Sequence, residues 1–340
     1  MLQKLKPEGP FFLESGKQLP EIEIAFHTYG KLNPERDNVI WICHALTADA
    51  DVANWWSGMV GEGKCFDWDK HFIVCANILG SCYGTTGPLS KDENGDVYYG
   101  HFPDVTIRDM VKAHIALRKH LGISKIKVLT GGSIGSFQAV EWAIMEPEVI
   151  KHLIMIAGGA KATSWTAGLN EAQRMAIRAD KSFFDLTPDG GKEGMKAARA
   201  MALLSYRNAV AYNKTQPLDP SDDYRKLKAI TYQQYQGEKL ARRFNAYAYY
   251  VLTKAFDSHH VGRKRGGLQK ALSAVMARTL VVGIDSDILF PKEDQELIRK
   301  FIPGARLQWM HSEYGHDGFL LEYASLTKII RNFMEEGGGL

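Results

Sequence analysis

Between Lys127 and Ala139 the chain reads Lys-Val-Leu-Thr-Gly-Gly-Ser-Ile-Gly-Ser-Phe-Gln-Ala, and this run restricts the fold more than any other. A β-branched, apolar segment enters the G-x-S-x-G of Gly131 to Gly135, and a helix-forming segment from Gln138 to Met145 leaves it. Strand, sharp turn and helix in that order are the setting of a nucleophile elbow, which thrusts its central serine out at the carboxyl end of a strand. The glycines have a steric reason: the turn strains the central residue, and a β-carbon at Gly131 or Gly135 would crowd the crossing of strand and helix. A glycine-rich connection with an incidental serine is the competing reading. The flanking pattern favours Ser133 as a nucleophile.

The rest of the chain supplies the sheet that such an elbow needs. Glu21 to Tyr29 alternates as a strand, while Asn38 to Cys43, Phe72 to Ala76 and Leu153 to Ala157 are continuously apolar, as strands covered on both faces are. Thr106 opens a helix, with Asp109 closing a capping box and Ile107, Met110, Val111, Ile115 and Leu117 as its apolar stripe. Strands alternating with helices predict a mostly parallel sheet covered on both faces, with ligands bound outside the carboxyl ends of the strands.

From 159 to 276 the rhythm changes to helical patterns at Asn170 to Ala179, Lys192 to Tyr212 and Tyr224 to Phe256, which read as a lid inserted into the sheet. The sheet resumes at Thr279 to Gly283. A helix from Lys292 to Phe301 leads to a strand at Arg306 to Met310, and a last helix runs from near Gly318 past Phe333. Gly337 to Gly339 read as a frayed end. The expected division is a core in two parts, 1–158 and 277–340, around a helical lid at 159–276.

A chain of 340 residues that is 45% hydrophobic suits one such unit with an insertion. The net charge of +3, spread without a long basic run, gives no ground for a nucleic-acid partner. Cys43, Cys65, Cys75 and Cys82 form no C-x-x-C pair, so neither a disulfide framework nor a zinc site is expected, and Cys43 and Cys75 read as small core residues. With neither a signal-peptide core nor an apolar run of bilayer length, the expectation is a cytoplasmic protein with no membrane partner.

A serine hydroxyl is a poor nucleophile at neutral pH and needs a base, which in turn needs an acceptor that fixes its tautomer. After an elbow serine the partners follow in the order acid, then histidine. The strand ending at Gly283 leads into Asp285 and Asp287, and the one ending at Met310 leads into Ser312-Glu313-Tyr314-Gly315-His316-Asp317-Gly318. His316, between glycines, is the best base among eleven histidines; His114 and His120 read as helix-surface residues and His152 as lying at a strand entrance. Spacing favours Asp287 over Asp285, although both can turn inward. The oxyanion needs two donors: the N–H of Ile134, after the nucleophile, and one from an earlier loop, for which Leu46 in His44-Ala45-Leu46-Thr47 is the candidate.

Taken together, His44 to Thr47, Leu79 to Pro88, Phe102 to Met110, the elbow, Asn170 to Arg174, Ser205 to Arg207, Asp285 to Pro291 and Tyr314 to Leu320 resemble the homoserine O-acetyltransferase family, an acyl-CoA-dependent branch of the α/β-hydrolase fold. The resemblance covers nearly the whole chain, lid included. It implies Ser133, Asp287 and His316 as a triad, Arg199 as the carboxylate-binding arginine, Tyr206 as a substrate contact and Asp317 as the partner of the substrate amine. It further implies L-homoserine and acetyl-CoA as substrates of a ping-pong transfer, no permanently bound cofactor or metal, and a homodimer built through the lid. The chain departs from the family pattern at Gly135-Ser136-Phe137, near the expected acyl pocket, and at Gly158 to Trp165. Alternatives are a succinyl or other acyl donor, a serine acceptor, or an esterase with the same triad.

Overall fold

The computed structural model describes residues 1–221 and 223–336, so the expected frayed end at Gly337 to Gly339 lies outside the described residues. Ten strands are formed: β1 (Gln3–Leu5), β2 (Phe11–Phe12), β3 (Gln18–Leu19), β4 (Ile24–Tyr29), β5 (Val39–Cys43), β6 (Phe72–Ala76), β7 (Ile126–Gly132), β8 (Ile150–Ile156), β9 (Arg278–Ile284) and β10 (Arg306–Met310). Eight of them make one sheet in the order β1-β4-β6-β5-β7-β8-β9-β10, and β2 and β3 form a small ribbon. From β6 to β10 every pairing is parallel, whereas β1 and β4 run antiparallel at one edge.

The apolar runs divide by alternation, as a two-faced sheet requires. Along β5, Val39, Trp41 and Cys43 join one buried cluster and Ile40 and Ile42 the other. The first cluster packs against α2 (Ile107–His120) and α3 (Ile134–Met145), and the second against α1 (Val52–Trp55) and the C-terminal helix at Tyr323–Glu335. Helices thus cover both faces. Cys43 and Cys75 are fully buried core residues. The Thr106 hydroxyl accepts from the Asp109 N–H while the Asp109 carboxylate receives the Thr106 N–H, the expected capping box.

Between β8 and β9 the described residues form α4 (Ser164–Ala179), α5 (Lys192–Tyr206), α6 (Ala209–Thr215), α7 (Lys228–Ala241), α8 (Ala246–Asp257) and α9 (Leu268–Leu272), with 3-10 turns at Lys181–Asp185 and Tyr224–Lys226. Two helices expected to be continuous are broken. Arg207 is extended and Asn208 caps α6 through its side chain, which ends the run expected at 192–212. Asn245 caps α8 by accepting from Tyr247 and Ala248, which splits the run expected at 224–256. In both places an asparagine side chain offers the backbone a local alternative to helix. Beyond β9 come α10 (Lys292–Phe301) and α11 (Tyr323–Glu335). The last helix therefore starts later than expected, because Gly315–Leu320 is a 3-10 segment.

Candidate active site

Strand order reverses between β5 and its neighbours β6 and β7, so the crevice at the carboxyl ends of β5 and β7 is a topological switch point. The loop carrying Leu46 leaves β5 there, and Ser133 leaves β7. Ser133 has φ 60° and ψ −128°, and it begins α3 without using its hydroxyl as a helix cap. A non-glycine residue held there costs of order ~1–3 kcal/mol, which only an over-determined turn sustains. The determination is steric. A β-carbon at Gly135 would stand 2.1 Å from the Cys43 carbonyl oxygen, and one at Gly131 would stand 2.5 Å from the Gly135 carbonyl carbon.

His316 Nδ1 lies 2.7 Å from Asp287 Oδ2, with both side chains buried. Asp287 is held by its other oxygen, which accepts the N–H groups of Leu289 at 2.8 Å and Phe290 at 3.1 Å. Asp285 points elsewhere: it pairs with His311 at 2.6 Å and accepts from the Ser312 N–H. His316 Nε2 is buried without a hydrogen-bond partner among the described residues, and it shares a cavity of about 550 Å³ with Ser133. Burial pulls the His316 imidazolium toward neutrality. The charge and hydrogen bond of Asp287, with the charge of Asp317, outweigh this and raise it above the ordinary histidine value.

Leu46, Arg199, Tyr206 and Asp317 line the same cavity. Ile134 and Asp287 are not among the residues that line it. The Leu46 and Ile134 amides donate no hydrogen bond to a protein acceptor among the described residues. Arg199 makes no ion pair among the described residues, and its guanidinium carbon lies 5.6 Å from the centroid of the Tyr206 ring. That ring in turn is 5.7 Å from the imidazole of His316. Burial raises the Asp317 carboxyl above its ordinary value, against the opposing charges of Arg207, His316 and Arg199. Ser136 and Phe137, expected near the acyl pocket, are fully buried and do not line the cavity; Phe137 stacks on His259 at 3.9 Å.

Several further residues were given no role at the site by the sequence. Arg207 holds Asp317 with Nε at 3.1 Å, and its only sequence signal was its place beside Tyr206. Lys239, on α7, and Arg243, just after it, also line the cavity. His114, expected on a helix surface, is buried, and its Nε2 lies 2.9 Å from Gln138 Oε1. Gln138 donates through Nε2 to the carbonyls of Ile134 and His44, at 3.1 and 3.4 Å. His44 Nδ1 meets the Ala45 carbonyl at 2.8 Å, and its Nε2 accepts the Ile78 N–H at 3.1 Å, which defines the tautomer. This polar chain ties the loop of Leu46 to the first turn of α3. Burial depresses His44 and His114 each to about 4, so both are neutral at physiological pH.

A family model described as alpha/beta hydrolase fold matches residues 38–323. A homoserine O-acetyltransferase of Cyclobacterium marinum is 47% identical over 330 residues, 96% of this chain and 93% of the relative. One from Chloroherpeton thalassium is 43% identical over 333 residues, covering 96% and 87%. The crystal structure of homoserine O-acetyltransferase from Bacillus anthracis superposes with a TM-score of 0.91 at 24% identity, over 98% of this chain and 97% of that one, a likeness of fold.

Proposed function

The chain belongs to the homoserine O-acetyltransferase family of the α/β-hydrolase fold, and from that premise we propose that it transfers the acetyl group of acetyl-CoA to the hydroxyl of L-homoserine. The products are O-acetyl-L-homoserine, an intermediate of methionine biosynthesis, and CoA. One observation carries the reading of the acceptor: the cavity that contains Ser133 and His316 also presents an unpaired guanidinium at Arg199 and a carboxylate at Asp317. A cation and an anion in one cavity complement the carboxylate and ammonium of an amino acid, and a planar guanidinium suits a carboxylate bidentately. Tyr206 lies between Arg199 and His316 and gives the acceptor an aromatic surface.

Ser133 attacks the thioester carbonyl while its proton passes to His316 Nε2, and Asp287 balances the imidazolium through Nδ1–H. The Ile134 and Leu46 amides receive the oxyanion. Its collapse expels CoA, whose sulfur takes the proton back from His316. The homoserine hydroxyl then gives its proton to the same nitrogen and attacks the acetyl-enzyme, and the second oxyanion collapses to the ester as the departing Ser133 Oγ takes that proton back from His316. Arg199 and Asp317 hold the acceptor so that its hydroxyl outcompetes water through effective concentration.

The same reading treats 159–276 as a lid over the core at 1–158 and 277–340. Exposed apolar side chains on it, Met175, Met201, Leu204, Val210 and Ile230, suit a homodimer built through lid helices. No described helix is long and apolar enough to cross a membrane. Free-thiol release measured across acetyl-CoA, succinyl-CoA, homoserine and serine tests the proposal. Release that requires homoserine and prefers acetyl-CoA is expected. Thioester hydrolysis that outpaces transfer would overturn it.

A further inference from the structure

We propose that Lys239 and Arg243, at the rim of the catalytic cavity, bind the phosphates at the nucleotide end of the acyl-CoA donor. The inference rests on the function proposed above and concerns the half of the donor remote from the reacting thioester. Ser133 and His316 are 7% and 3% exposed, whereas Lys239 and Arg243 are exposed and line the same cavity, so the two cations stand between the reacting groups and solvent. A cavity of about 550 Å³ is of the size that holds one small ligand, not a whole acyl-CoA with its hydrated phosphates. The thioester and its pantetheine arm therefore enter. The nucleotide, with its highly hydrated phosphates, stays at the mouth.

The rim has unsatisfied cationic capacity. Lys239, in the last turn of α7, makes no ion pair or hydrogen bond with a protein group among the described residues. Arg243, four residues on, donates from Nη1 to the Thr47 carbonyl at 2.5 Å and the Tyr83 hydroxyl at 2.6 Å, which leaves Nε and Nη2 without protein acceptors. Those two bonds fix the guanidinium against the core loop that also carries Leu46. One phosphate ligand is thereby oriented and the other, a flexible ammonium, adapts. The acidic residues lining the cavity are Asp49, which accepts the Asp51 N–H, and Asp317, which pairs with Arg207 and which the proposed reaction gives to the acceptor's ammonium.

The test compares kcat/KM for transfer to homoserine from acetyl-CoA and from S-acetylpantetheine, which has the same thioester and no phosphate. The wild-type enzyme should prefer acetyl-CoA by tenfold or more, and Lys239→Gln should lower that preference about tenfold, the change that ~1.4 kcal/mol produces. Arg243→Gln should lower it as well, with partial recovery in Arg243→Lys. Because Arg243 also joins lid to core, Lys239→Gln, which has no protein partner to lose, decides the matter. A wild-type preference near one, or one that Lys239→Gln leaves where it was, overturns the rim assignment while the proposed reaction stands. Transfer from neither donor in the wild type overturns the reaction, and this inference with it.

Discussion

Removing the Ser133 hydroxyl takes away the only proposed covalent step, so Ser133→Ala should abolish transfer and acetyl-enzyme formation, read by mass spectrometry after mixing with acetyl-CoA. The base is tested by pH. A proton acceptor must be neutral, and His316 is raised above its ordinary value by Asp287, so kcat/KM should fall on the acid side of an apparent pKa above ~6.5. Asp287→Asn removes that charge. The acid limb should then move to lower pH while kcat drops roughly 10⁴-fold as the tautomer is lost. A limb that stays in place would show that another group titrates. Arg199→Ala should raise the homoserine KM far more than the acetyl-CoA KM, because the guanidinium is the cavity's carboxylate partner in this reading. Equal homoserine kinetics in that variant would remove Arg199 from the acceptor site.

The elbow is the element on which the geometry depends, and Gly135 is its tightest point. Because a β-carbon there would stand 2.1 Å from backbone oxygen, which has no side-chain freedom to retreat, Gly135→Ala should prevent the strand–helix crossing and yield little folded protein on size-exclusion chromatography. This element was legible because its demands are local and written as glycines at fixed spacing. The same holds for the capping box of α2, where Thr106 and Asp109 meet three residues apart. The breaks at Asn208 and Asn245 were not legible from periodicity, since a capping asparagine inside an apolar pattern differs little from a surface one. His114 shows a further limit. Its burial and its bond to Gln138 arise from the packing of α2 on α3, a long-range fact that a helical stripe does not encode. Arg207, Lys239 and Arg243 were missed for the same reason, because their significance lies in which cavity or carboxylate they approach.

At the scale of the molecule, buried histidines make stability depend on pH. Burial depresses His44 and His114 to about 4 and His259 to about 3. In the unfolded chain each titrates near ~6.5. A depressed histidine stabilises the fold fully above its unfolded value, and that contribution is lost as pH falls toward its folded value, because the unfolded chain then binds protons that the native state refuses. His316 has the opposite sign: raised in the native state, it contributes fully below ~6.5 and its contribution is lost as pH rises through its folded value. Near pH ~5 these three histidines together take up about three protons on unfolding, a slope on the order of 4 kcal/mol per pH unit, to which His27, His71 and His152, also lowered by burial, add. Tm measured by calorimetry should therefore fall between pH ~6.5 and ~5, in a range where most carboxylates remain ionised. His114→Leu should lower Tm at pH ~8, since Gln138 loses its partner, yet flatten the decline as one proton leaves the balance. A Tm indifferent to pH across that interval, or a decline as steep in the variant as in the wild type, would mean that these imidazoles are not held neutral by the packing around them.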